Sequence, residues 1–410
     1  MRGCGVLKRI GMVAMVTCIV WTYEARAGSL SDQLPRSAAD VGINAGSAFD
    51  ALAEQLANTA ARSIPVVSAS AGFTYRYNAE LEVFERTSQT LGPIYLERPD
   101  TLGRSKFNVS MSYQYVQFDS YDGQDLDNLH SPFPIVTKVR SGGVVTSANA
   151  TRLDYDLGLR NNVIGLSGTY GVLDDLDVNI LVPLIQTSFD TGVNALITKT
   201  APAGGAFTPC ASGCGPRTAD LDGGAFGVGD ILLRAKYLLS HSERLNTALG
   251  LQFRLPSGDE GDFQGTGDFE ISPAVYLSTL IAGRISPQAN LAIDVDTQSV
   301  SQSQARYGIG VDADVLPRLG LSLAFLGRSE FSESASPSET SFLHLVRGTP
   351  QEELLLGLDF GRKDYFDLSF GLRAVVWRDI MVFVNGLYAL NDQGLRNDTI
   401  IPLIGVEGTF

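Results

Sequence analysis

The sequence predicts an all-β protein: a transmembrane antiparallel β-barrel of about twelve strands, preceded by a small helical and hairpin segment. Three observations predict this class. The chain opens with an export signal, short segments of alternating polarity fill residues 105–410, and connections of unequal length separate them. Membrane barrels repeat segments of about ten residues with alternating polarity. Since a soluble β-sandwich alternates in the same way, the chemistry of the two strand faces has to decide between them.

Residues 1–27 have the three parts of a secretory signal. A basic start at residues 2–9 precedes an apolar stretch at 10–21, and a small–x–small pattern ends at Ala27. We expect cleavage after Ala27, because the apolar stretch is too short to span a membrane as a helix. Cys18 raises the alternative of a lipoprotein signal, but the residues just before it are not the small ones of a lipobox.

Cleavage would make an acidic chain more acidic. It removes four basic residues and one acidic residue, so the formal net charge changes from −14 to −17. Such a chain repels nucleic acid, and no basic stripe offsets that charge. Two cysteines remain, Cys210 and Cys214, in a Gly/Pro/Ser-rich segment. An exported chain favours a disulfide between them, and the lack of nearby histidines argues against a metal. We therefore expect no metal and no cofactor.

The two faces of the predicted strands differ in chemistry. In the segment 245–256, the residues on one side are Thr247, Leu249, Leu251, Phe253 and Leu255, and those on the other are Asn246, Ala248, Gly250, Gln252 and Arg254. Segments 105–118, 268–281 and 304–315 repeat this division. One face suits lipid and the other suits a wet lumen, so the pattern favours a membrane barrel.

Counting back from the last residue gives twelve strands that alternate in direction. They lie near 105–118, 162–171, 174–189, 229–240, 245–256, 268–281, 288–297, 304–315, 319–329, 365–376, 379–390 and 399–410. Connections at the Phe410 end are short. The long ones, 119–161, 190–228, 257–267 and 330–364, fall at the other end, as in bacterial barrels. Residues 150–160 and 353–360 could add strands and raise the count to fourteen, or 150–160 could instead extend the strand at 162–171. We interpret 353–360 as part of an outward loop.

Residues 28–104 form a separate segment ahead of the barrel (residues 105–410). Ser47–Arg62 has helix formers with apolar residues at helical spacing. Phe73–Tyr77 and Leu81–Phe84 are typical of a small hairpin. The segment could be a plug folded into the lumen or a periplasmic extension resting on the barrel mouth, and the sequence leaves both open.

Two stretches resemble a known family. Gly227–Tyr237 (GVGDILLRAKY) with Leu255–Asp259 (LPSGD), and Tyr170–Val178 (YGVLDDLDV) with Val182–Leu184 (VPL), resemble the outer-membrane barrel family linked to meta-pathway phenol degradation. These barrels look like relatives of fatty-acid and aromatic-hydrocarbon channels. The resemblance spans roughly residues 150–330 and implies passive uptake without naming a solute. The terminal strand ending at Phe410 likewise resembles the signal that the barrel assembly machinery of the outer membrane recognises.

The lumen-facing positions supply the candidate site residues. The predicted inward charges are Arg234, Lys236, Arg254, Asp268, Glu270, Asp294, Asp296, Arg306, Asp312 and Asp314. We expect Arg254 to face Asp268 and Glu270, and Arg306 to approach Asp294 and Asp296. Such charges brace a polar interior, and rings of them also set pore selectivity.

The function predicted from these observations is an outer-membrane channel for passive uptake of small solutes, hydrophobic or aromatic. The alternative is a structural or surface-interaction barrel without specific transport. No Ser/His pair has the i,i+2 spacing that would share a strand face, so the sequence does not favour an enzyme. The expected partners are outer-membrane lipids, lipopolysaccharide and a small-molecule solute. The acidic loops 119–127 and 259–268 could bind cations that bridge lipopolysaccharide, or remain solvated.

Overall fold

The structure is a computed structural model. It describes residues 28–43, 47–70, 72–78, 83–86, 90–130, 135–141, 144–242, 245–298, 300–331, 345–346, 349–350 and 362–410. The proposed signal (1–27) and the segment 353–360 lie outside the described residues, so both interpretations stay predictions.

Two α-helices precede the strands: α1 (Gln33–Asp40) and α2 (Ser47–Ser63). The strands are β1 (Tyr75–Asn78), β2 (Val83–Arg86), β3 (Phe107–Phe118), β4 (Ser120–Tyr121), β5 (Gln124–Asp125), β6 (Leu129–His130), β7 (Ile135–Ser141), β8 (Val144–Leu173), β9 (Leu176–Pro202), β10 (Thr208–Pro209), β11 (Arg217–Val228), β12 (Ile231–Ser240), β13 (Asn246–Leu255), β14 (Glu270–Ser278), β15 (Ile285–Asp296), β16 (Gln304–Leu316), β17 (Leu319–Glu330), β18 (Leu345–Val346), β19 (Thr349–Pro350), β20 (Asp364–Trp377), β21 (Ile380–Ala389), β22 (Leu395–Arg396) and β23 (Ile401–Thr409).

Twelve of these strands close into an antiparallel barrel. They follow each other around the wall in the order β3, β8, β9, β12, β13, β14, β15, β16, β17, β20, β21 and β23, and β23 pairs with β3 to close the ring. Each strand of this ring is paired on both sides among the described residues, as the interior of a lipid bilayer requires. The predicted fold class and the count of twelve are confirmed, and each barrel strand overlaps one predicted from the sequence.

One end of the barrel carries the long connections and the other carries the short ones. We call the end with Phe410 the turn end and the opposite end the loop end. At the loop end, β8 has 30 residues and β9 has 27, whereas a membrane crossing needs about 9–11. Their outer halves pair with each other and with β7 and β11. The connections 119–161 and 190–228 are therefore largely sheet rather than open loop, and residues 150–160 extend β8.

The fourth barrel position is shared by two strands. β12 pairs with the turn-end part of β9, while β11 pairs with the part nearer the loop end. They are separated at Gly229–Asp230. The Asp230 carboxylate accepts hydrogen bonds from the backbone N–H groups of Gly258 and Thr266. The two strands act as one interrupted wall strand, so the count stays at twelve.

The outward face of the barrel is apolar and the inward face is polar. On β13, Leu249 and Leu251 are exposed on the outside, while Ala248, Gly250 and Gln252 are buried inside. Val275 on β14 and Ile309 on β16 are likewise exposed. A belt of exposed aliphatic side chains is what contact with lipid requires. Among the described residues, no helix is long and apolar enough to cross a membrane.

The two helices lie at the loop end. Phe49, Leu52 and Leu56 of α2 are buried in one core with side chains from the outer halves of β8 and β9, among them Tyr155 and Phe189. The helix predicted over 47–62 is confirmed, and burial of its apolar face explains its stability. The predicted hairpin is also present, with β1 and β2 pairing Tyr75 with Arg86.

Between the helices and β3, the chain passes through the lumen. The carbonyl of Val67 accepts a bond from Arg234 on β12, and the N–H of Leu91 donates to Asp314 on β16. Tyr75 reaches the turn end, where its hydroxyl donates to Asp379. The described residues 64–70, 72–74 and 90–98 therefore lie inside the barrel, which favours the plug over a periplasmic extension. We call residues 64–98 the plug.

Candidate solute site in the lumen

Ten charged residues were predicted to face the lumen, and the structure places all ten on its inner side. Arg254 lies 3.2 Å from Glu270 and 3.8 Å from Asp230. Asp294 accepts two hydrogen bonds from Arg306, at 2.6 and 2.9 Å. A bidentate guanidinium–carboxylate pair is strong and geometrically specific. The strand register brings these pairs together. Arg254 lies directly opposite Glu270, and Arg306, which lies opposite Ala292, reaches Asp294 two residues further along β15.

Two expected pairings are replaced by a residue of α2. Arg62 lies 2.5 Å from Asp296, 3.8 Å from Glu270 and 3.9 Å from Asp268. Asp268 and Asp296 therefore meet the end of α2, whereas we expected Asp268 to meet Arg254 and Asp296 to meet Arg306. The strand pattern could not supply Arg62, since a helix outside the barrel sequence carries it.

The other predicted residues form a layer nearer the turn end. Lys236 donates to the hydroxyl of Ser70 and the carbonyl of Arg98. Asp312 accepts from Gln288, and Asp314 accepts from the N–H of Leu91. The contacts of Lys236 and Asp314 join the wall to the plug, whereas the contact between Asp312 and Gln288 lies within the wall. This layer therefore holds the plug in place. Arg234, half-way along its strand, lies 3.9 Å from Glu97 of the plug.

Above the plug, toward the loop end, lies a cavity of about 220 Å³. Residues 62–68 and 95–97 contribute to its lining together with the wall. Its charged lining residues are Arg62, Glu97, Arg234, Arg254, Asp294, Arg306, Arg328, Asp367 and Arg396. Six arginines thus face three carboxylates, although the whole chain carries a formal charge of −14.

The Tyr365 ring contacts two of these arginines. The guanidinium carbon of Arg328 is 3.8 Å from the ring centroid, and that of Arg396 is 4.7 Å from it. Both distances fit cation–π contact. Arg396 also bonds Asp367 at 2.9 Å. The sequence prediction missed these four residues. The inward parity of β17 and β20 would have identified Arg328, Tyr365 and Asp367, but Arg396 lies on β22, outside the barrel wall.

Asp268, one of the predicted residues, has a raised pKa. Asp268 lies at the loop end, before β14, with 17% of its side chain exposed. Burial is the main cause that raises the pKa of its carboxyl, to about 6, and the neighbouring Asp296 carboxylate raises it further. Arg62 acts in the opposite direction. The Asp268 carboxylate is thus held at some electrostatic cost.

Cys210 and Cys214 lie at the loop end between β10 and β11. The structure joins them in a disulfide with their Cα atoms 6.1 Å apart. Among the described residues, no group of three or more histidine, cysteine, aspartate or glutamate side chains could hold a metal ion. The described histidines, His130 and His241, do not line the cavity.

A family model supports the resemblance seen in the sequence. The model described as "Putative MetA-pathway of phenol degradation" matches residues 138–316. This range contains the stretches at 170–184 and 227–259 that suggested the family, and it covers β8 to β16. A search of curated proteins finds no match to this chain.

Solved outer-membrane proteins are similar at low identity. An outer membrane channel from Pseudomonas putida F1 is 11% identical, with a TM-score of 0.46, and the likeness covers 76% of this chain and 98% of that one. A FadL homologue from Pseudomonas aeruginosa is 9% identical, with a TM-score of 0.34, and covers 74% and 89%. The CymD monoaromatic hydrocarbon channel is 9% identical, with a TM-score of 0.35, and covers 75% and 89%. Likenesses this remote do not identify a solute.

Proposed function

We propose that this chain is an outer-membrane channel for passive uptake of small solutes, hydrophobic or aromatic, and that the plug limits the flow. The observation that carries the proposal is the cavity of about 220 Å³ inside a closed barrel. A barrel built only for structure would need no such space, because a core of side chains would fill it. The apolar outer belt supports a place in the membrane, and the short turns support an orientation with Phe410 toward the periplasm.

The size of the barrel supports a small solute. Barrels of eight strands are filled by side chains or hold one small ligand, and those of 16–18 strands leave an aqueous channel. Twelve strands lie between these limits, and here the plug occupies part of the lumen. The cavity is lined by paired charges and by apolar side chains such as Phe118 and Leu387. We infer transport rather than catalysis, because no described histidine lies at this cavity.

A structural barrel remains the second candidate, and the seating of the plug favours it. Arg373, Glu407 and Asp314 all bond the backbone of the plug. If the plug never moved, these contacts would close the turn-end half of the lumen. Movement of the plug is therefore the property that separates the two candidates.

A reversible cross-link tests this movement. A Cβ placed at Gly320 would lie 3.3 Å from the Leu91 Cβ, close to the separation of about 3.5–4.5 Å found in disulfides. The variant Leu91→Cys/Gly320→Cys, made in a Cys210→Ser/Cys214→Ser background, can then be measured oxidised and reduced. The solutes for liposome uptake are an aromatic acid, a neutral aromatic and a sugar.

We expect the reduced protein to pass at least one aromatic solute and the oxidised protein to pass much less. The background variant, treated in the same way, controls for the reductant. Equal uptake in both states would show that the plug does not limit flow. No uptake by the reduced protein or the unmodified chain would favour the structural barrel.

A further inference from the structure

The arginines that line the cavity outnumber the carboxylates that line it. Each of the three lining carboxylates already has an arginine partner: Asp294 with Arg306, Asp367 with Arg396, and Glu97 with Arg234 at 3.9 Å. Two further arginines, Arg62 and Arg254, bond carboxylates behind the lining, Asp296 and Glu270. The sixth arginine, Arg328, is the one left over.

Arg328 is held in place by neutral groups. Its guanidinium donates to the carbonyl of Arg62 at 2.5 Å and lies over the Tyr365 ring. No ion pair within 4 Å among the described residues includes it. The Glu330 carboxylate, two residues along its strand, accepts the backbone N–H of Lys363 and attracts Arg328 from a greater distance. A half-buried guanidinium whose contacts are a carbonyl, the Ser63 hydroxyl and a ring face is well suited to an incoming anion.

Arg396 contacts the same ring and has one hydrogen-bond donor without a partner. Only 7% of the residue is exposed, and its Nε has no hydrogen-bond partner in the structure. Its other nitrogens bond Asp367 and Asn391. An unpartnered N–H in a buried guanidinium is unusual, because leaving such a donor unmade is costly. A ligand oxygen would satisfy it.

An apolar wall adjoins this pair of arginines. Four apolar side chains line the cavity here: Phe118 on β3, Leu387 on β21, Leu395 on β22 and Ile401 on β23. β21 and β23 follow β20 around the barrel, so these side chains continue the wall from Tyr365. The cavity thus has a cationic pole and an apolar side. Its volume of about 220 Å³ exceeds the roughly 150 Å³ that holds one benzene in an engineered protein cavity.

We propose that the cavity binds a small aromatic carboxylate, with the carboxylate on Arg328 and Arg396 and the ring against the apolar wall. This site deepens the channel function proposed above by naming its solute class, and it rests on that function only for transport. Binding itself requires the cavity alone. A neutral aromatic ligand would make no ion pair with the arginines. A small anion without a ring would leave the apolar wall in contact with water.

Equilibrium dialysis of the full mature chain in detergent tests the proposal. The probes are benzoate, its neutral analogue benzamide, and acetate as the anion without a ring. We expect benzoate to bind more tightly than either analogue. Arg328→Gln should weaken benzoate binding by roughly tenfold, the effect of losing one charge-assisted contact, and leave benzamide binding unchanged. Arg284→Gln, at an exposed turn of the opposite end, is the matched control.

Two further variants keep the test decisive if Arg328→Gln does not assemble. Arg396→Gln should weaken benzoate binding in the same way, and Arg328→Lys, which keeps the charge but not the planar fork, should give an intermediate affinity. Equal binding of benzoate and benzamide, no benzoate binding, or unchanged affinity in the arginine variants would overturn the proposal. Benzoate binding without liposome uptake would refute the channel but not the binding site. Uptake of solutes without tighter binding of benzoate than of benzamide would refute the binding site but not the channel.

Discussion

Arg373 on β20 and Glu407 on β23 face each other inside the lumen, with Nη1 of the arginine 3.2 Å from Oε1 of the glutamate. Both side chains are almost fully buried, at 3% and 4% exposure. The arginine also donates to the carbonyls of Leu91 and Pro93, and the glutamate accepts the N–H of Gly72. The pair thus binds both passes of the plug, and burial makes each charge depend on the other.

Arg373→Met should loosen the plug. It leaves the Glu407 carboxylate buried without its partner, which costs about 3–5 kcal/mol when a buried pair is broken. Residues 28–104 should then be cleaved faster by an added protease, and single-channel conductance in planar bilayers should rise. The double variant Arg373→Met/Glu407→Gln should be less damaged than the single one. Arg318→Met, at an exposed turn, serves as the control. An Arg373→Met variant with unchanged conductance and unchanged protease resistance would contradict the role of Arg373 in holding the plug.

Charge on the outer face of β15 should be far more damaging than charge on its inner face. Leu291 is 52% exposed on the outside, and its neighbour Asn290 faces the cavity. Leu291→Arg should destabilise the barrel by about 2–4 kcal/mol if the position lies near the membrane midplane. Asn290→Arg should assemble normally and alter conductance. The folded fraction, measured by heat-modifiable migration in gels, distinguishes them, and equal losses would refute the strand register.

Asp268 should make stability depend on pH. Its pKa is raised to about 6 in the folded protein, so the stabilisation from its protonated form is present at acid pH and lost as pH rises through 6. Asp268→Asn should therefore unfold at a higher temperature than the natural chain at pH 7.5, and this gain should shrink at pH 5. Asp392→Asn, at an exposed loop-end position, should show no such change. A gain that is the same at both pH values would count against this interpretation.

The Cys210–Cys214 disulfide should stabilise only its own loop. It closes a ring over a sequence separation of 4, and so short a ring restrains few conformations of the unfolded chain. Cys210→Ser/Cys214→Ser should thus leave the unfolding temperature of the barrel nearly unchanged while the 203–216 segment is cleaved more readily. Mass spectrometry of freshly isolated membranes should find no free thiol at either position. Two free thiols would refute the expected pairing in the cell.

The barrel was predictable because its information is local and periodic. The alternation of apolar and polar residues along each strand predicts which side faces lipid, as with Leu251 outside and Gln252 inside. A shift of the register by one residue would exchange the two faces. The even parity of the strands restricts the count to even numbers, such as twelve or fourteen, and assigns the short turns to one end. Pairs such as Arg254–Glu270 and Arg306–Asp294 then follow from neighbouring inward positions.

The amino-acid pattern therefore predicts the wall: the twelve strands, their two faces and ten of the charges on its inner side. What fills the barrel depends on tertiary contacts. The sequence of residues 28–104 has no repeating pattern that predicts the contact of Arg62 with Asp296 or of Glu97 with Arg234. These contacts join segments separated by more than a hundred residues. The site between Arg328, Tyr365 and Arg396 likewise depends on where β22 folds back over the barrel. Strand pairing sets the faces, but packing of a non-repeating segment inside the closed barrel sets the cavity.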